Sequence, residues 1–295
     1  MADNWERVIS RLERLIDSVE PLLAKKAESS QYSTNSLDKY IAFRWKNHDG
    51  WGHLIPVKRP DLVDIADLID IERQIEILNR NTLQFLRGLP ANHVLLWGDR
   101  GTGKSSLVKG ILHRYASDGL RLIEVNKEGL LHLQEITDLL WGRPERYILF
   151  CDDLSFSEGE AAYRELKAML EGGIAARPKN TIIYATSNRR HLMPRQIGEN
   201  QFPNSDEDEL YPRESTEEKV SLSDRFGLRL VFYRIPQDTY LKIVSHYAQK
   251  AGLSMPMDDL HRAALEWETA SSGRSGRVAR QFVDDLAGQL GLDSK

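Results

Sequence analysis

The sequence predicts an α/β fold: a parallel five-stranded sheet sandwiched by helices, followed by a small all-helical unit at the C-terminus. Three observations predict it. An intact phosphate-binding loop lies between a strand pattern and a helix pattern. Apolar runs then alternate with helical spacing. After Pro236 the strand pattern stops.

The first element is an N-terminal segment with apolar residues at Trp5, Val8, Ile9, Leu12, Leu15, Ile16, Val19, Leu22 and Leu23. Spacings of three and four make an amphipathic helix with a seven-residue repeat, at the lower limit of about three heptads for a coiled coil. It packs on its own domain or forms a seam for a partner. Residues 25–38 are rich in Ser, Thr and Asn and read as a linker. In residues 42–60, Phe43, Trp45 and Trp51 flank Asp49-Gly50, with Arg44, Lys46, Lys58 and Arg59 nearby. Asp-Gly between aromatic runs predicts a hairpin. Aromatics among basic residues can also stack on nucleic-acid bases.

From Asp61 the chain alternates. A helix runs through about Phe85, and strands are expected at 94–97, 121–125, 147–151, 181–186 and 228–233. Such alternation indicates a parallel sheet with helices on both faces. Residues 237–251, 258–271 and 275–290 then read as three helices. The boundaries are 1–40 for the helix and linker, 41–235 for the α/β domain and 236–295 for the helical unit.

The loop is Gly98-Asp99-Arg100-Gly101-Thr102-Gly103-Lys104-Ser105, a full G-x-x-x-x-G-K-[ST]. Its glycines let backbone N–H groups converge on a phosphate, and Lys104 would meet the β- and γ-phosphates. Ser105 would give its hydroxyl to Mg²⁺, and Ser106 continues into the helix. His93 to Trp97 is a short apolar run ending at the first glycine. The helix that follows presents an N-terminus suited to anions.

Phosphoryl transfer to water needs further groups. Tyr147 to Cys151 is an apolar strand from which Asp152 and Asp153 emerge. Asp152 would hold Mg²⁺ and Asp153 would polarise the attacking water, because ligands bind at the carboxyl edge of such sheets. A second reading makes the pair a helix cap. Asn188 closes the strand that starts at Thr181, where it could hydrogen-bond the γ-phosphate or the water. Arg225, in Ser221-Leu222-Ser223-Asp224-Arg225-Phe226-Gly227, sits before the last strand. It could reach a neighbouring subunit's site as an arginine finger, or pair with Asp224 or another surface acid. Arg274, Arg277 and Arg280 begin the last helix, and helix phase alone does not choose among them.

In this order the motifs resemble those of the AAA+ ATPases over about residues 61–290. The resemblance makes Gly98–Ser106 the Walker A loop and Asp152-Asp153 the end of Walker B. It makes Asn188 the sensor-1 residue, Arg225 the arginine finger and Arg277 the sensor-2 arginine. It also implies that Asn126 is a polar switch and that Ile69 to Gln74 flanks the adenine. More narrowly, the loop with Cys151-Asp152-Asp153-Leu154-Ser155-Phe156 and Leu222 to Leu228 is similar to a group of bacterial AAA+ proteins known as a domain of unknown function, number 815. One departure is that most AAA+ ATPases end Walker B with Asp-Glu. Asp153 is one methylene shorter, although Asp-Asp occurs in the helicase-loader branch.

The implied function is an Mg²⁺-dependent ATPase that self-assembles and remodels or regulates a macromolecular partner. The alternatives are an ATP-gated binding adaptor with little turnover and a helicase-loader-like, DNA-associated ATPase. The bulk numbers bound these readings. Hydrophobic residues make up 41% and charged residues 28% of the 295, ordinary for a globular protein. A net charge of −4 gives no global pull toward nucleic acid, which only residues 42–60 and Arg189-Arg190 favour. No run approaches the ~20 apolar residues of a membrane span, and no secretory signal is visible. The single cysteine, Cys151, forms no intrachain disulfide and reads as a small buried strand residue, so a cytoplasmic location is expected. The acidic segment 195–221, with Asp206-Glu207-Asp208-Glu209, is a solvated loop or a subunit-facing element.

Overall fold

The computed structural model describes residues 36–48, 51–157, 159–172, 178–188, 192, 222–271 and 273–293, together with Arg11 and Arg14. The expected N-terminal helix, the Asp49-Gly50 turn, Arg189-Arg190 and the acidic segment 195–221 lie outside them or almost wholly so.

Among the described residues, seven strands form one sheet: β1 (Ala42–His48), β2 (Trp51–Pro56), β3 (Val94–Gly98), β4 (Leu120–Glu124), β5 (Arg146–Cys151), β6 (Thr181–Ser187) and β7 (Leu228–Phe232). Their order is β2-β1-β4-β5-β6-β3-β7. All neighbours are parallel except β1 and β2. The five strands expected from the apolar runs are β3 to β7. The sheet is larger than predicted because the 42–60 hairpin joins it, β1 pairing with β4 through Ala42, Phe43 and Arg44.

That hairpin is built as core. Phe43 and Trp45 are buried. Trp45 lies across Gly52, where an added Cβ would fall 1.8 Å from its ring. These two aromatics therefore fill the interior and offer no face to a nucleic-acid base.

The helices are α1 (Glu72–Leu86), α2 (Lys104–Tyr115), α3 (Leu133–Leu140), α4 (Ala161–Glu171), α5 (Gln237–Lys250), α6 (Met257–Ala270) and α7 (Gly276–Asp293). The strand side chains alternate between two buried faces, as a sheet covered on both sides requires. On β5, Ile148 and Phe150 join a core with Leu107, Val108 and Ile111 of α2. Tyr147, Leu149 and Cys151 point the other way, into a core with Ile136 of α3 and Leu166 of α4. Cys151 is fully buried, and burial pushes its thiol up to about 12, so it stays a neutral packing group.

A third core belongs to the C-terminal helices. Tyr240, Ile243 and Val244 of α5 pack on Leu260 of α6 and on Ala279, Phe282 and Val283 of α7. Ile69, from the α/β domain, packs against this cluster. No helix among the described residues is long and apolar enough to cross a membrane.

Candidate nucleotide site

The order of the strands sets the position of the site. β3 lies between β6 and β7, and β5 lies beyond β6. The carboxyl ends of β3, β5 and β6 therefore open on one edge, where ligands collect in such sheets. A cleft of about 1310 Å³ lies there, roofed by α5 and α7.

Its phosphate end is shaped by glycine. Gly98, Gly101 and Gly103 have φ of 138°, 70° and 97°, which side chains resist. A Cβ on Gly98 would lie 1.9 Å from the Phe232 carbonyl oxygen. The loop is held by the Asp99 N–H donating to Phe232 O (3.1 Å) and by Thr102 Oγ1 donating to Asp99 O (2.8 Å). Lys104 opens α2 and is 6% exposed. Its Nζ donates to Gly98 O (2.8 Å), Asp99 O (2.6 Å) and Asn188 Oδ1 (3.0 Å). Burial holds its pKa below the ordinary lysine value, despite the opposing pull of Asp153, Asp99 and Asp152.

The acidic end faces it. Asp152 Oδ1 accepts from Ser105 Oγ (2.6 Å) and from Thr186 Oγ1 (2.5 Å). Asp153 has φ of 52°, an uncommon conformation for a non-glycine residue. Its N–H donates to Thr186 Oγ1 (2.8 Å), and its Oδ1 accepts a short hydrogen bond from Asn188 Nδ2. Asn188 thus touches both the lysine and the second acid. The turn after β5 does not start a helix at Asp152 or Asp153, so neither acid is a helix cap.

The roof contributes through the start of α7. The Gly276 N–H donates to Gly101 O (2.9 Å), and a Cβ on Gly101 would lie 2.6 Å from Ser275 Cβ. Arg277 and Arg280 line the cleft, whereas Arg274 is drawn to Glu268 (3.3 Å). Arg280 lies 3.9 Å from Asp284, and no ion pair joins Arg277 to another described residue.

The far end is a junction between the α/β domain and α5. Asp67 accepts from His246 Nε2 (2.9 Å) and Lys250 Nζ (2.5 Å). Asp70 accepts from Thr239 Oγ1 (2.5 Å) and Lys242 Nζ (3.0 Å). Burial would raise the Asp67 carboxyl, but the bonds from Lys250 and His246 prevail and hold it below the ordinary range. Thr239 and Lys242 lower Asp70 in the same way. Leu68 to Ile71 and Gln74 line this end, opposite Ile243 and Tyr247.

The structure thus brings Arg100, Gly101, Thr102, Gly103, Lys104, Ser105, Ser106, Asp152, Asp153, Asn188 and Arg277 to one cleft. Gly98 and Asp99 stand behind it as acceptors for Lys104. Arg225 does not line this cleft and is ion-paired with Glu171. Asn126 does not line it either; its Oδ1 accepts from the Gly129 N–H (2.9 Å) and caps the turn after β4. Thr186 was not singled out from the sequence. Its position two residues before Asn188 on a strand was the available signal, since i and i+2 share a face. Asp70 was singled out only as part of the Ile69 to Gln74 turn and Asp67 not at all, because their partners lie 169 to 183 residues away.

The family model described as "Protein of unknown function (DUF815)" matches residues 38–290. No curated protein matches the chain. Among solved structures, a single-residue variant of Thermotoga maritima RuvB is similar with a TM-score of 0.54 at 16% identity, over 78% of this chain and 66% of that one. The chain therefore spans just under two thirds of that relative's length. The structure titled Thermotoga maritima RuvB Holliday junction branch migration motor gives a TM-score of 0.53 at 17% identity, over 80% and 67%. The FIGL-1 AAA domain in complex with ADP gives 0.50 at 18% identity, over 77% and 74%. The fold is that of the AAA+ P-loop ATPase domains.

Proposed function

The chain belongs to the DUF815 family, and from that premise and the cleft's geometry we propose that it binds Mg-ATP and hydrolyses it in a self-assembled oligomer, remodelling or regulating a macromolecular partner. One observation carries the reading. Lys104, Ser105, Asp152, Asp153 and Asn188 come from three separate strand ends and converge on one cleft, with Arg277 facing them from the roof.

The residues fit the nucleotide. The glycines hold a backbone conformation that side chains resist, which lets successive N–H groups converge on a phosphate. Lys104 is already desolvated and is held by acceptors that phosphate oxygens replace. Ser105 Oγ and Asp152 Oδ1, 2.6 Å apart, form a hard oxygen pair of the kind magnesium takes. Ser105 and Asp152 would hold magnesium there, and it would supply charge neutralisation to the phosphate.

The rest falls to side chains. Asp153 takes a proton from the attacking water as the bond from its oxygen to the γ-phosphorus forms and the bond to the leaving ADP oxygen breaks. Asn188 holds Asp153 in place and contacts the γ-phosphate or the water. Arg277 meets the γ-phosphate and couples its presence to the roof. Arg225, which does not line its own cleft, completes the site of a neighbouring copy.

ATP hydrolysis measured against protein concentration tests the proposal. Specific activity should climb with concentration and be lost in Arg225→Ala and Asp153→Asn. A second reading, ATP-gated binding with little turnover, is favoured by the shortness of Asp153 relative to glutamate. Tight ATP binding with turnover near zero at every concentration would establish that reading and overturn the first.

A further inference from the structure

The turn that carries Arg225 is fixed on both sides. Leu222 and Phe226 are buried in the core beneath α3 and α4, and the Arg225 N–H donates to Leu222 O (3.2 Å). The backbone of Arg225 is therefore anchored. Its long side chain has several rotatable bonds and needs a partner to stay in one direction.

One such partner is Glu171, the last residue of α4. Arg225 Nε donates a short hydrogen bond to Glu171 Oε1, and Nη2 lies against the same oxygen. The acid nearest in sequence does not compete, because Asp224 is paired with Arg229. A carboxylate at a helix C-terminus opposes the helix dipole, so Glu171 does not serve its own helix. The last turn of α4 contains no basic residue. Its placement answers to Arg225.

We infer that Glu171 is a positioning residue for Arg225, aiming the guanidinium at the γ-phosphate held by a neighbouring copy of the chain. The inference rests on the proposed role of Arg225. A guanidinium spreads its donors around a planar fork, so an edge gripped by a carboxylate fixes the plane of the whole group. Geometry of this kind decides how well a charge meets a transition state, and small misplacement is costly.

The test compares Glu171→Gln, Arg225→Ala and the double variant of the full chain. It measures kcat and KM at saturating protein concentration, and ATP affinity by equilibrium binding. Gln keeps the size of Glu but removes the charge. We expect Glu171→Gln to lower kcat by about 10- to 100-fold, the range seen when a group that orients a functional side chain is lost, with ATP affinity unchanged. We expect Arg225→Ala to lower kcat by about 10³-fold or more. In the Arg225→Ala background, Glu171→Gln should have no further effect, because two residues acting through one group are not additive. Full kcat in Glu171→Gln beside a collapsed Arg225→Ala would overturn the role of Glu171 and leave Arg225 as the finger. Full kcat in Arg225→Ala would overturn the finger itself. A loss in Glu171→Gln that persists in the Arg225→Ala background would assign Glu171 a structural effect and overturn the inference.

Discussion

The two ends of the cleft are built by different means. The phosphate end is a contiguous run of the chain, from Gly98 to Ser105, whose shape comes from backbone conformation. The far end is assembled from ion pairs between Asp67, Asp70 and helix α5, across gaps of 169 to 183 residues. The first places few groups with great constraint. The second joins two packed units through part-buried Asp67, His246 and Thr239 and the more exposed Lys242 and Lys250. The phosphate end is thus set by backbone conformation and the far end by side-chain pairing between two packed units.

Changes at the phosphate end should be severe and specific. Asp153→Asn is expected to reduce turnover by about 10²- to 10⁴-fold, the usual contribution of a positioned base. ATP affinity, measured by equilibrium binding, should be retained. Lys104→Ala removes a charged donor worth about 1.5–3 kcal/mol to a phosphate oxygen, so ATP affinity should fall by about 10- to 150-fold.

Two glycines sharpen the contrast between conformation and contact. Gly119 and Gly101 both have positive φ, 91° and 70°. Nothing lies within 4 Å of a Cβ on Gly119, whereas one on Gly101 meets Ser275 at 2.6 Å. Gly119→Ala should therefore cost only the backbone strain, about 1–2 kcal/mol in denaturant unfolding. Gly101→Ala should add displacement of the start of α7, seen as faster amide exchange in the roof.

The far end should give way gently. Asp67→Asn removes the charge that pairs with His246 and Lys250, so ATP affinity, measured by equilibrium binding, should fall by less than in Lys104→Ala. Its pH dependence has a definite sign. In the fold the Asp67 and Asp70 carboxyls are held below the ordinary aspartate value of 3.8. Their contribution is full above that value and is lost as pH falls through the lowered ones. Amide exchange at the junction should rise there, and less so in Asp67→Asn.

Much of this was legible in the sequence. The loop, the paired acids and the strand end at Asn188 are local patterns, and the strands β3 to β7 fall within a residue of the apolar runs that predicted them. The hairpin was legible as a hairpin, but its pairing with β4 was not, because strand order depends on packing over long separations. Trp45 shows why two readings stood side by side: an aromatic between Arg44 and Lys46 reads first as core but also as a stacking face, and its burial over Gly52 decides. Among the three arginines of α7, helix phase left the choice open. Glu268 removes Arg274 from it, and the cleft admits Arg277 and Arg280.

If catalytic groups from two copies complete one ATP site, mixing two inactive variants tests that assembly most directly. Asp153→Asn retains Arg225, and Arg225→Ala retains Asp153. Combined in equal amounts, they should recover a substantial part of wild-type ATP hydrolysis, because some interfaces then join an intact acid to an intact arginine. Activity no greater than the sum of the two variants alone would contradict a shared site.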